Sequence, residues 1–285
     1  MSLKKLDLKH NYNLRTHTSI KIGGTASRFF VAHDEGELQA ILRSIDGPYY
    51  LLGAGSNLLV KDALLTTPII KLGPEFSYIT PFAQDSLEVG AATALSKLIN
   101  ACIKNGLAGL ENLAGIPATV GGLIAMNASA FGAAVSDCVS DIEIMDRQGA
   151  CVRLKREEVT FGYRHSSLKG NVILRAWFKF TKRDDIKNKV AAYLAQRRLT
   201  QDVQSPSCGC IFKNPTGFKA GFLIESCGFK GAIKNDAQVS SRHANFIVNK
   251  GTAQYGDVDY LINHIKEKVL ATFNVQLEEE VERWL

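Results

Sequence analysis

Two loops built almost entirely from glycine and other small residues constrain the fold of this 285-residue chain more than any other feature. The first is Gly53-Ala54-Gly55-Ser56-Asn57-Leu58, and the second, residues 115–132, reads GIPATVGGLIAMNASAFG. Because glycine has no Cβ, successive backbone N–H groups in such turns can surround an anion. Neither loop contains a charged residue, so an anion there would be held by backbone dipoles. The pair predicts an enzyme that holds a phosphorylated cofactor from two sides.

The first loop has two other interpretations. Gly53-Ala54-Gly55 begins like a dinucleotide-binding Rossmann fingerprint, but Leu58 occupies the third glycine position. The segment Leu58-Leu59-Val60 favours a strand, whereas the Rossmann motif opens a helix whose N-terminus meets the pyrophosphate. The remaining interpretation of this loop alone is a tight turn between two buried strands. When the second loop is considered as well, a cofactor-binding site is favoured over a tight turn.

Composition excludes several classes of protein. At 46% hydrophobic and 22% charged residues the chain is typical of a globular protein of about two domains. No apolar run approaches the ~20 residues that span a bilayer, and MSLKKLDLKHNYNLRTH lacks the apolar stretch of a secretory signal. The net charge of +6 is mild, and no basic run indicates a nucleic-acid partner. We therefore expect a cytoplasmic protein with neither nucleic acid nor membrane as partner.

The six cysteines are interpreted as free thiols, because a disulfide framework is typical of secreted chains. Cys102 and Cys151 lie on apolar faces and are expected to fill the core. Cys208 and Cys210 are closer together than the usual zinc-binding pairs, and no second Cys or His pair lies nearby in the sequence. We expect no metal site.

Hydrophobic periodicity predicts an α+β fold rather than a regular βαβ alternation. Strands are predicted at residues 49–52, 68–72, 87–91, 142–145, 151–154, 172–180, 245–248 and 275–281. Helices are predicted at residues 94–107, from about 186 to 198, at 219–227 and at 257–273, the first ended by Asn105-Gly106. A polar stretch at 181–185 marks the predicted boundary between a domain of residues 1–183, with subdomains of about 1–72 and 73–183, and a domain of residues 184–285.

Seven motifs give the sequence a family resemblance. GAGSN, GLENLAGIPATVGG, MNASAFG, FGYRHS, CGCIFKNP, HANFIVN and LEEEV occur in this order. Together, over residues 18–281, they resemble the UDP-N-acetylenolpyruvoylglucosamine reductase family, in its shorter subclass. The resemblance implies an FAD-binding domain of the vanillyl-alcohol-oxidase (PCMH) type followed by an α+β substrate-binding domain. It also implies the NADPH-dependent reduction of UDP-N-acetylglucosamine enolpyruvate to UDP-N-acetylmuramate in peptidoglycan synthesis.

The resemblance implies which residues bind the cofactor. FAD would be bound without a covalent link, since no His or Cys occurs in the first loop, and NADPH would be the hydride donor. The implied FAD ligands are Gly53, Ala54, Gly55, Ser56, Asn57, Leu58, Gly115, Ile116, Pro117, Thr119, Gly121, Gly122, Ala125, Asn127 and Gly132.

The chemistry of this reduction needs a positive group and an acid. Hydride addition to the vinyl carbon places negative charge on the adjacent carbon and its carboxylate, which must be stabilised and then protonated. By resemblance, Arg164 stabilises the carboxylate, Glu280 is the catalytic glutamate and Cys210 is the proton donor. The family usually has serine where this chain has Cys210, and a thiol is a stronger acid than a hydroxyl. Within the second loop the chain also has Ser129 where the family usually has glycine.

The resemblance also implies substrate ligands. Arg197, Gln201, Lys213 and Asn214 correspond to residues that bind the nucleotide sugar, although Asp202 replaces the proline that often follows Gln201. His243 is either a structural residue or a ligand contact. The rival interpretations are another FAD-dependent oxidoreductase of the same fold, which often tethers its flavin through His or Cys, and a catalytically inactive nucleotide-sugar-binding protein. The sequence leaves the oligomeric state open.

Overall fold

A computed structural model describes residues 6–285; residues 1–5, the start of the segment interpreted as not being a secretory signal, lie outside the described residues. The described chain forms two compact units. Unit 1 comprises the residues through His10, Arg28–Ala54 and Thr67–Ala195, and unit 2 comprises Asn11–Ser27, Gly55–Thr66 and Gln196–Leu285. Both units are discontinuous in sequence, whereas we predicted one continuous boundary near residue 184. A boundary drawn from local composition could not anticipate that the chain passes between the units several times.

Helices and short strands alternate irregularly along the described residues. The helices are α1 (Glu35–Arg43), α2 (Leu95–Asn105), α3 (Val120–Ala125), α4 (Ile186–Thr200), α5 (Ala220–Ser226) and α6 (Tyr255–Phe273). The strands are β1 (Asp7–Asn13), β2 (Thr25–Ala32), β3 (Tyr50–Leu51), β4 (Leu58–Val60), β5 (Leu64–Leu65), β6 (Ile69–Leu72), β7 (Ile79–Ala83), β8 (Ser86–Gly90), β9 (Leu107–Ala108), β10 (Ser129–Ala130), β11 (Ala133–Ala134), β12 (Val139–Met145), β13 (Cys151–Lys155), β14 (Phe161–Gly162), β15 (His165–Ser166), β16 (Val172–Lys179), β17 (Thr181–Lys182), β18 (Ser207–Cys210), β19 (Ile233–Lys234), β20 (Ala237–Val239), β21 (Phe246–Asn249) and β22 (Glu282–Trp284).

The larger core of unit 1 lies on an antiparallel sheet of five strands in the order β13-β12-β16-β8-β7. Ile142 pairs with Ala176, which pairs on its other side with Val89, and all three are fully buried. Since side chains alternate between the two faces of a strand, this row lies on one face. Leu98 of α2 and Leu123 of α3 belong to the same core. The strands predicted at 87–91, 142–145, 151–154 and 172–180 are confirmed.

A second core in unit 1 surrounds a small parallel arrangement of β3, β6 and the end of β2. Leu38 and Ile41 of α1 pack with Ile70 of β6 in this cluster. Asp34 caps α1 by accepting a hydrogen bond from the Glu37 N–H at 2.8 Å. The sequence predicted β3 and β6 within one residue but gave no prediction for β2 or α1.

Unit 2 has an antiparallel sheet in the order β18-β21-β20-β19. Its core includes Ile247 of this sheet, Leu223 of α5 and the buried side of α6. Five apolar residues on one side of the predicted helix at 257–273 are buried there: Val258, Leu261, Ile262, Ile265 and Val269. Separately, β4 pairs in parallel with β22 near the end of the chain. The strand interpretation of Leu58–Val60 is therefore confirmed.

Two local predictions are wrong. Residues 275–281 form no continuous strand but a single bridge, Glu279 to Phe212, and the strand begins only at Glu282. The apolar alternation does set burial, with Leu277 at 2% exposure, but the N–H groups of Glu280 and Val281 both donate to Ile211 O, which departs from a regular strand ladder. Cys151 is exposed rather than buried. Within the polar stretch at 181–185, β17 pairs with β9.

The helix that we predicted at residues 94–107 is confirmed as α2. Gly106 ends it in the left-handed conformation, with φ of +64°, which glycine adopts at little cost. None of the helices in the described part of the chain is long and apolar enough to cross a bilayer.

Candidate functional site

The second loop lies in unit 1, and its central amides bond within the protein. The N–H groups of Val120 and Gly121 donate to Thr93 O and Ala91 O, each at 2.9 Å. The N–H of Gly122 donates to Thr119 Oγ1 at 3.4 Å. A Cβ on Gly121 would lie 3.1 Å from the Ala91 Cβ. These small residues therefore allow close backbone packing, and the predicted FAD contacts of Thr119, Gly121 and Gly122 stay predictions.

The start of the first loop, Gly53-Ala54, also belongs to unit 1. A Cβ on Gly53 would lie 2.8 Å from Thr119 Oγ1, so a larger residue would displace the cap of α3. Within the described residues, the N–H groups of Gly53 and Ala54 donate to no protein acceptor. This differs from the engaged amides of residues 120–122.

The remaining predicted FAD ligands of the second loop lie outside its central segment 119–122. Gly115 and Gly132 adopt φ of +87° and +84°, and Pro117 is trans. Ala125 is exposed, with its carbonyl accepting from Ser166 Oγ at 2.9 Å. The exposure of Gly115, Pro117 and Ala125 fits a surface that a flat ring could contact.

Asn127 ties the second loop to the hairpin that carries the predicted catalytic arginine. Its side chain is 8% exposed and donates from Nδ2 to Gly162 O at 2.9 Å. Its Oδ1 accepts from the Ser136 N–H at 3.4 Å. The side chain is thus used within the protein, and a contact of Asn127 with FAD would be made by its backbone.

Arg164 lies at the tip of the β14–β15 hairpin with φ of +56°, a strained conformation for a residue other than glycine. Its Nη1 donates to Ser129 Oγ at 2.6 Å and to Ser129 O at 3.3 Å. Its guanidinium carbon is 5.0 Å from the centre of the half-exposed Tyr163 ring. The structure therefore joins the arginine to the second loop, as expected for residues that serve one site.

The rest of the first loop, Gly55 to Leu58, lies in unit 2. A Cβ on Gly55 would lie 1.9 Å from His17 O, and its φ is +67°, so only glycine fits. In the part of the chain that is described, the N–H groups of Gly55, Ser56 and Asn57 donate to no protein acceptor, whereas the carbonyls of Gly55 and Asn57 do accept. Leu58 is buried in β4. The loop thus presents amides, the groups that bind a pyrophosphate.

Unit 2 brings two of the predicted catalytic residues onto neighbouring backbone segments. The Glu280 N–H donates to Ile211 O at 2.8 Å, and the Lys213 N–H donates to Glu278 O at 2.8 Å. Residues 210–213 therefore run beside 278–280, next to the end of β18 at Cys210. From the other side, Asn57 Nδ2 donates to Glu280 O at 3.0 Å. Both the first loop and the Cys210 segment thus fix the Glu280 backbone.

The structure distinguishes the three consecutive glutamates. Glu279 accepts from Arg283 at 2.6 Å and from Lys266 at 3.2 Å, so its carboxylate belongs to an ion-pair network. Glu278 is 72% exposed and forms an ion pair with Lys213. The backbone of Glu280 is held between Asn57 of the first loop and Ile211. The catalytic role of Glu280, which sequence alternation alone could not single out, stays a prediction.

The predicted substrate ligands also lie in unit 2. Arg197 is 7% exposed and donates to Gln201 Oε1 at 3.1 Å. Burial lowers the pKa of Arg197, and the nearby Cys210 opposes that shift, which places these two side chains within electrostatic reach. Asn214 Oδ1 accepts from the Ala220 N–H at 2.9 Å, at the start of α5. The structure thus gathers these residues in one unit, and their contact with substrate stays a prediction.

His243 has a structural role in the fold. Its Nδ1 accepts from the Asn245 N–H at 3.3 Å, and its ring lies 4.9 Å from that of Phe246. Burial lowers the pKa of His243, which favours the neutral ring that can accept this hydrogen bond.

The six cysteines are free, as predicted. Burial raises the pKa of Cys208 to about 12, so this thiol is inert beside Cys210. Only Glu35, Glu143 and Cys151 cluster tightly enough among the described residues to suggest a metal site. Arg175 lies 2.9 Å from Glu143 and also contacts Glu35, so its guanidinium pairs with both carboxylates and offsets part of their negative charge. This is an ion-pair cluster rather than a set of ligands for a cation.

Sequence reasoning missed two residues that support the site. Ser129 contacts Arg164, and the only available signal was a hydroxyl at a position where the motif usually has glycine. Asn245 is 3% exposed and brackets Phe212, accepting from its N–H at 2.9 Å and donating to its carbonyl at 2.8 Å. It fixes the segment that follows Cys210. The HANFIVN motif contains this asparagine without indicating its partner.

Comparison with known proteins shows which families the chain is similar to. An FAD binding domain family matches residues 26–155, and the C-terminal domain of UDP-N-acetylenolpyruvoylglucosamine reductase matches residues 201–284. Curated reductases of that name from Heliobacterium modesticaldum and Beijerinckia indica are 40% and 37% identical to the chain, covering 93% and 97% of it and 87% and 90% of their own lengths. A solved UDP-N-acetylenolpyruvylglucosamine reductase from Thermus caldophilus has a TM-score of 0.86 at 35% identity, covering 99% of this chain and 100% of its own. The predicted α+β class with an FAD-binding domain is confirmed.

Proposed function

Because the chain belongs to the UDP-N-acetylenolpyruvoylglucosamine reductase family, we propose that it reduces UDP-N-acetylglucosamine enolpyruvate to UDP-N-acetylmuramate in peptidoglycan synthesis. It is an FAD-containing, NADPH-dependent oxidoreductase. The chemistry that bound FAD supplies is the relay of a hydride from NADPH to the vinyl carbon of the substrate. The chain's own residues must bind the substrate, stabilise the charge that develops and deliver one proton.

The first loop fits the FAD pyrophosphate. The amides of residues 53–57 donate to no acceptor within the described chain, and Gly55 tolerates no side chain. The loop contains no His or Cys, so we propose a non-covalent complex. Residues 115–132 would add uncharged contacts from a surface of small side chains.

We assign the protein groups as follows. Arg164 binds the substrate carboxylate and stabilises the negative charge that hydride addition places on it. The Cys210 thiol donates the proton to the adjacent carbon, and Glu280 is the catalytic carboxylate beside it. Arg197, Gln201, Lys213 and Asn214 bind the nucleotide sugar. The observation that carries this assignment is the pairing of the Cys210 segment with the Glu280 backbone within unit 2.

Location and partners belong to the same proposal. Six free thiols fit a reducing compartment, so we place the protein in the cytoplasm. The proposed partner is the small nucleotide sugar, without nucleic acid or membrane.

Purified protein tests the function directly. We expect a yellow preparation that NADPH bleaches under anaerobic conditions and that UDP-N-acetylglucosamine enolpyruvate restores, with UDP-N-acetylmuramate detected by mass spectrometry. Acid precipitation should leave the flavin in the supernatant. Protein that takes up no FAD, or reduced protein that the substrate does not reoxidise, contradicts the proposal. Flavin that remains in the pellet contradicts its non-covalent part.

A further inference from the structure

The guanidinium of Arg164 contacts Ser129 of the second loop. Two hydrogen bonds run from its Nη1 to Ser129, one to the hydroxyl at 2.6 Å and one to the carbonyl at 3.3 Å. The hydroxyl contact is short, as expected when the donor carries a full charge. The motif that this loop resembles usually has glycine here, which could provide only the carbonyl.

Ser129 is itself well fixed. It belongs to β10, where it pairs with Ala134 of β11. Asn112 Nδ2 donates to Ala130 O at 2.5 Å and to Ala133 O at 2.9 Å, bracing the β10–β11 hairpin. The hydroxyl that contacts Arg164 therefore projects from a braced backbone.

The hairpin that carries Arg164 is tied to the same loop through its backbone. Asn127 Nδ2 donates to Gly162 O at 2.9 Å, and Ser166 Oγ donates to Ala125 O at 2.9 Å. These bonds locate both strands of the hairpin but leave the long arginine side chain to be oriented separately. A long arginine side chain loses rotamer freedom when it is fixed in one orientation.

We propose that Ser129 is a positioning residue that orients the Arg164 guanidinium for the substrate carboxylate. This rests on the proposed role of Arg164 and extends it. With Nη1 fixed by the serine, the arginine is already oriented before substrate binds, so less ordering remains for the step in which negative charge develops.

The test separates the two half-reactions by rapid mixing of the FAD-loaded enzyme. In Ser129→Gly and Ser129→Ala, we expect NADPH to reduce the flavin at the wild-type rate and substrate to reoxidise it about 10-fold more slowly, the usual size for losing a hydrogen bond to a charged group. Ser129→Thr keeps the hydroxyl on an extended backbone and should stay within about 3-fold of wild type. Ser140→Ala is the matched control, since the Ser140 hydroxyl in the same unit donates to a main-chain carbonyl, Trp177 O, at 3.2 Å.

A double mutant shows whether the effect passes through the arginine. Once Arg164→Ala is present, adding Ser129→Ala should slow reoxidation no further. A full additional loss in the double mutant, equal slowing of both half-reactions, or wild-type reoxidation in Ser129→Ala overturns the proposal. If Arg164→Ala alone reoxidises normally, the role proposed for Arg164 fails instead.

Discussion

In unit 2 the main chain of Glu280 is fixed on both sides, by Ile211 and by Asn57, whereas in unit 1 the contacts of Arg164 with the second loop come from its guanidinium. The proposed proton donor Cys210 ends the strand beside this fixed segment. The two units thus fix their proposed catalytic residues in different ways. The residues proposed to handle the proton lie on segments joined by backbone bonds, whereas the residue proposed to stabilise charge meets the second loop through its side chain.

The largest effect should come from removing the thiol in unit 2. Cys210→Ala should lose about 10²–10⁴-fold in turnover, the usual contribution of a positioned acid. Cys210→Ser restores a hydroxyl of similar size and should keep substantial activity. Peroxide should inactivate wild type and spare the serine variant, because only the thiol forms sulfenic and sulfinic acids.

Steady-state turnover of the Cys210 variants, with and without peroxide, tests whether Cys210 is the proton donor. If Cys210→Ala turns over like wild type, another group supplies the proton. The proposal that unit 2 supplies the proton through Cys210 would then be wrong.

The next effect concerns the backbone of the first loop. Gly55→Ala would place a Cβ 1.9 Å from His17 O at φ of +67°, so we expect the free energy of unfolding to fall by more than about 2 kcal/mol. The matched control is Gly217→Ala, also in unit 2, whose φ is +81° and whose added Cβ meets nothing within 4 Å. It should lose only the conformational cost of about 1–2 kcal/mol.

Denaturant unfolding of both glycine variants, at equal FAD, measures this difference. Equal losses in the two variants would show that the His17 contact does not constrain the loop.

A smaller effect should follow from cutting the link between the first loop and Glu280. Asn57→Ala removes the donor to Glu280 O, so we expect substrate-driven reoxidation to slow about 10-fold, while flavin reduction at saturating FAD stays unchanged. Gln238→Ala is the control, since it removes a comparable bond to Gly231 O in the same unit.

Rapid-mixing kinetics and FAD titration of Asn57→Ala separate its two possible roles. If the variant only weakens FAD binding and reoxidises normally once loaded, Asn57 serves the cofactor and not Glu280.

The smallest effect is a pH dependence in unit 2. Burial lowers the pKa of His243 below its ordinary 6.5, so the unfolded chain binds a proton at a higher pH than the folded one. Stability is therefore retained above about pH 6.5 and declines as the pH falls toward the pKa of the folded state. His243→Asn, which keeps an acceptor for the Asn245 N–H, should reduce this decline between pH 7 and pH 5. An identical pH profile in wild type and variant would contradict the assignment.

Short-range signals predicted much of this molecule. The glycine spacing around Gly55 marked a loop that only glycine can form, and periodicity located α2, α6 and most strands of the larger sheet of unit 1. Contacts between distant segments were not predictable in this way. The parallel pairing of β4 with β22 joins residues more than two hundred positions apart, and no local pattern encodes it.

Contacts between distant segments also explain why the sequence alone could not distinguish the three glutamates or predict the discontinuous units. Alternation separates Glu278 and Glu280 from Glu279 but cannot say which carboxylate meets Arg283 or Lys213. The choice of Glu280 came from the motif, and the structure adds the physical difference between the three residues. The discontinuous units depend likewise on pairings that composition at residues 181–185 does not report.

The central claim is that Arg164 and Glu280 act only after the flavin has been reduced. The direct measurement is anaerobic rapid mixing of Arg164→Ala and Glu280→Gln, first with NADPH and then with UDP-N-acetylglucosamine enolpyruvate, following flavin absorbance. We predict bleaching at the wild-type rate and reoxidation slowed by ~10²-fold or more, since charge develops on the substrate only in the second step. Slowed bleaching with normal reoxidation would contradict the account.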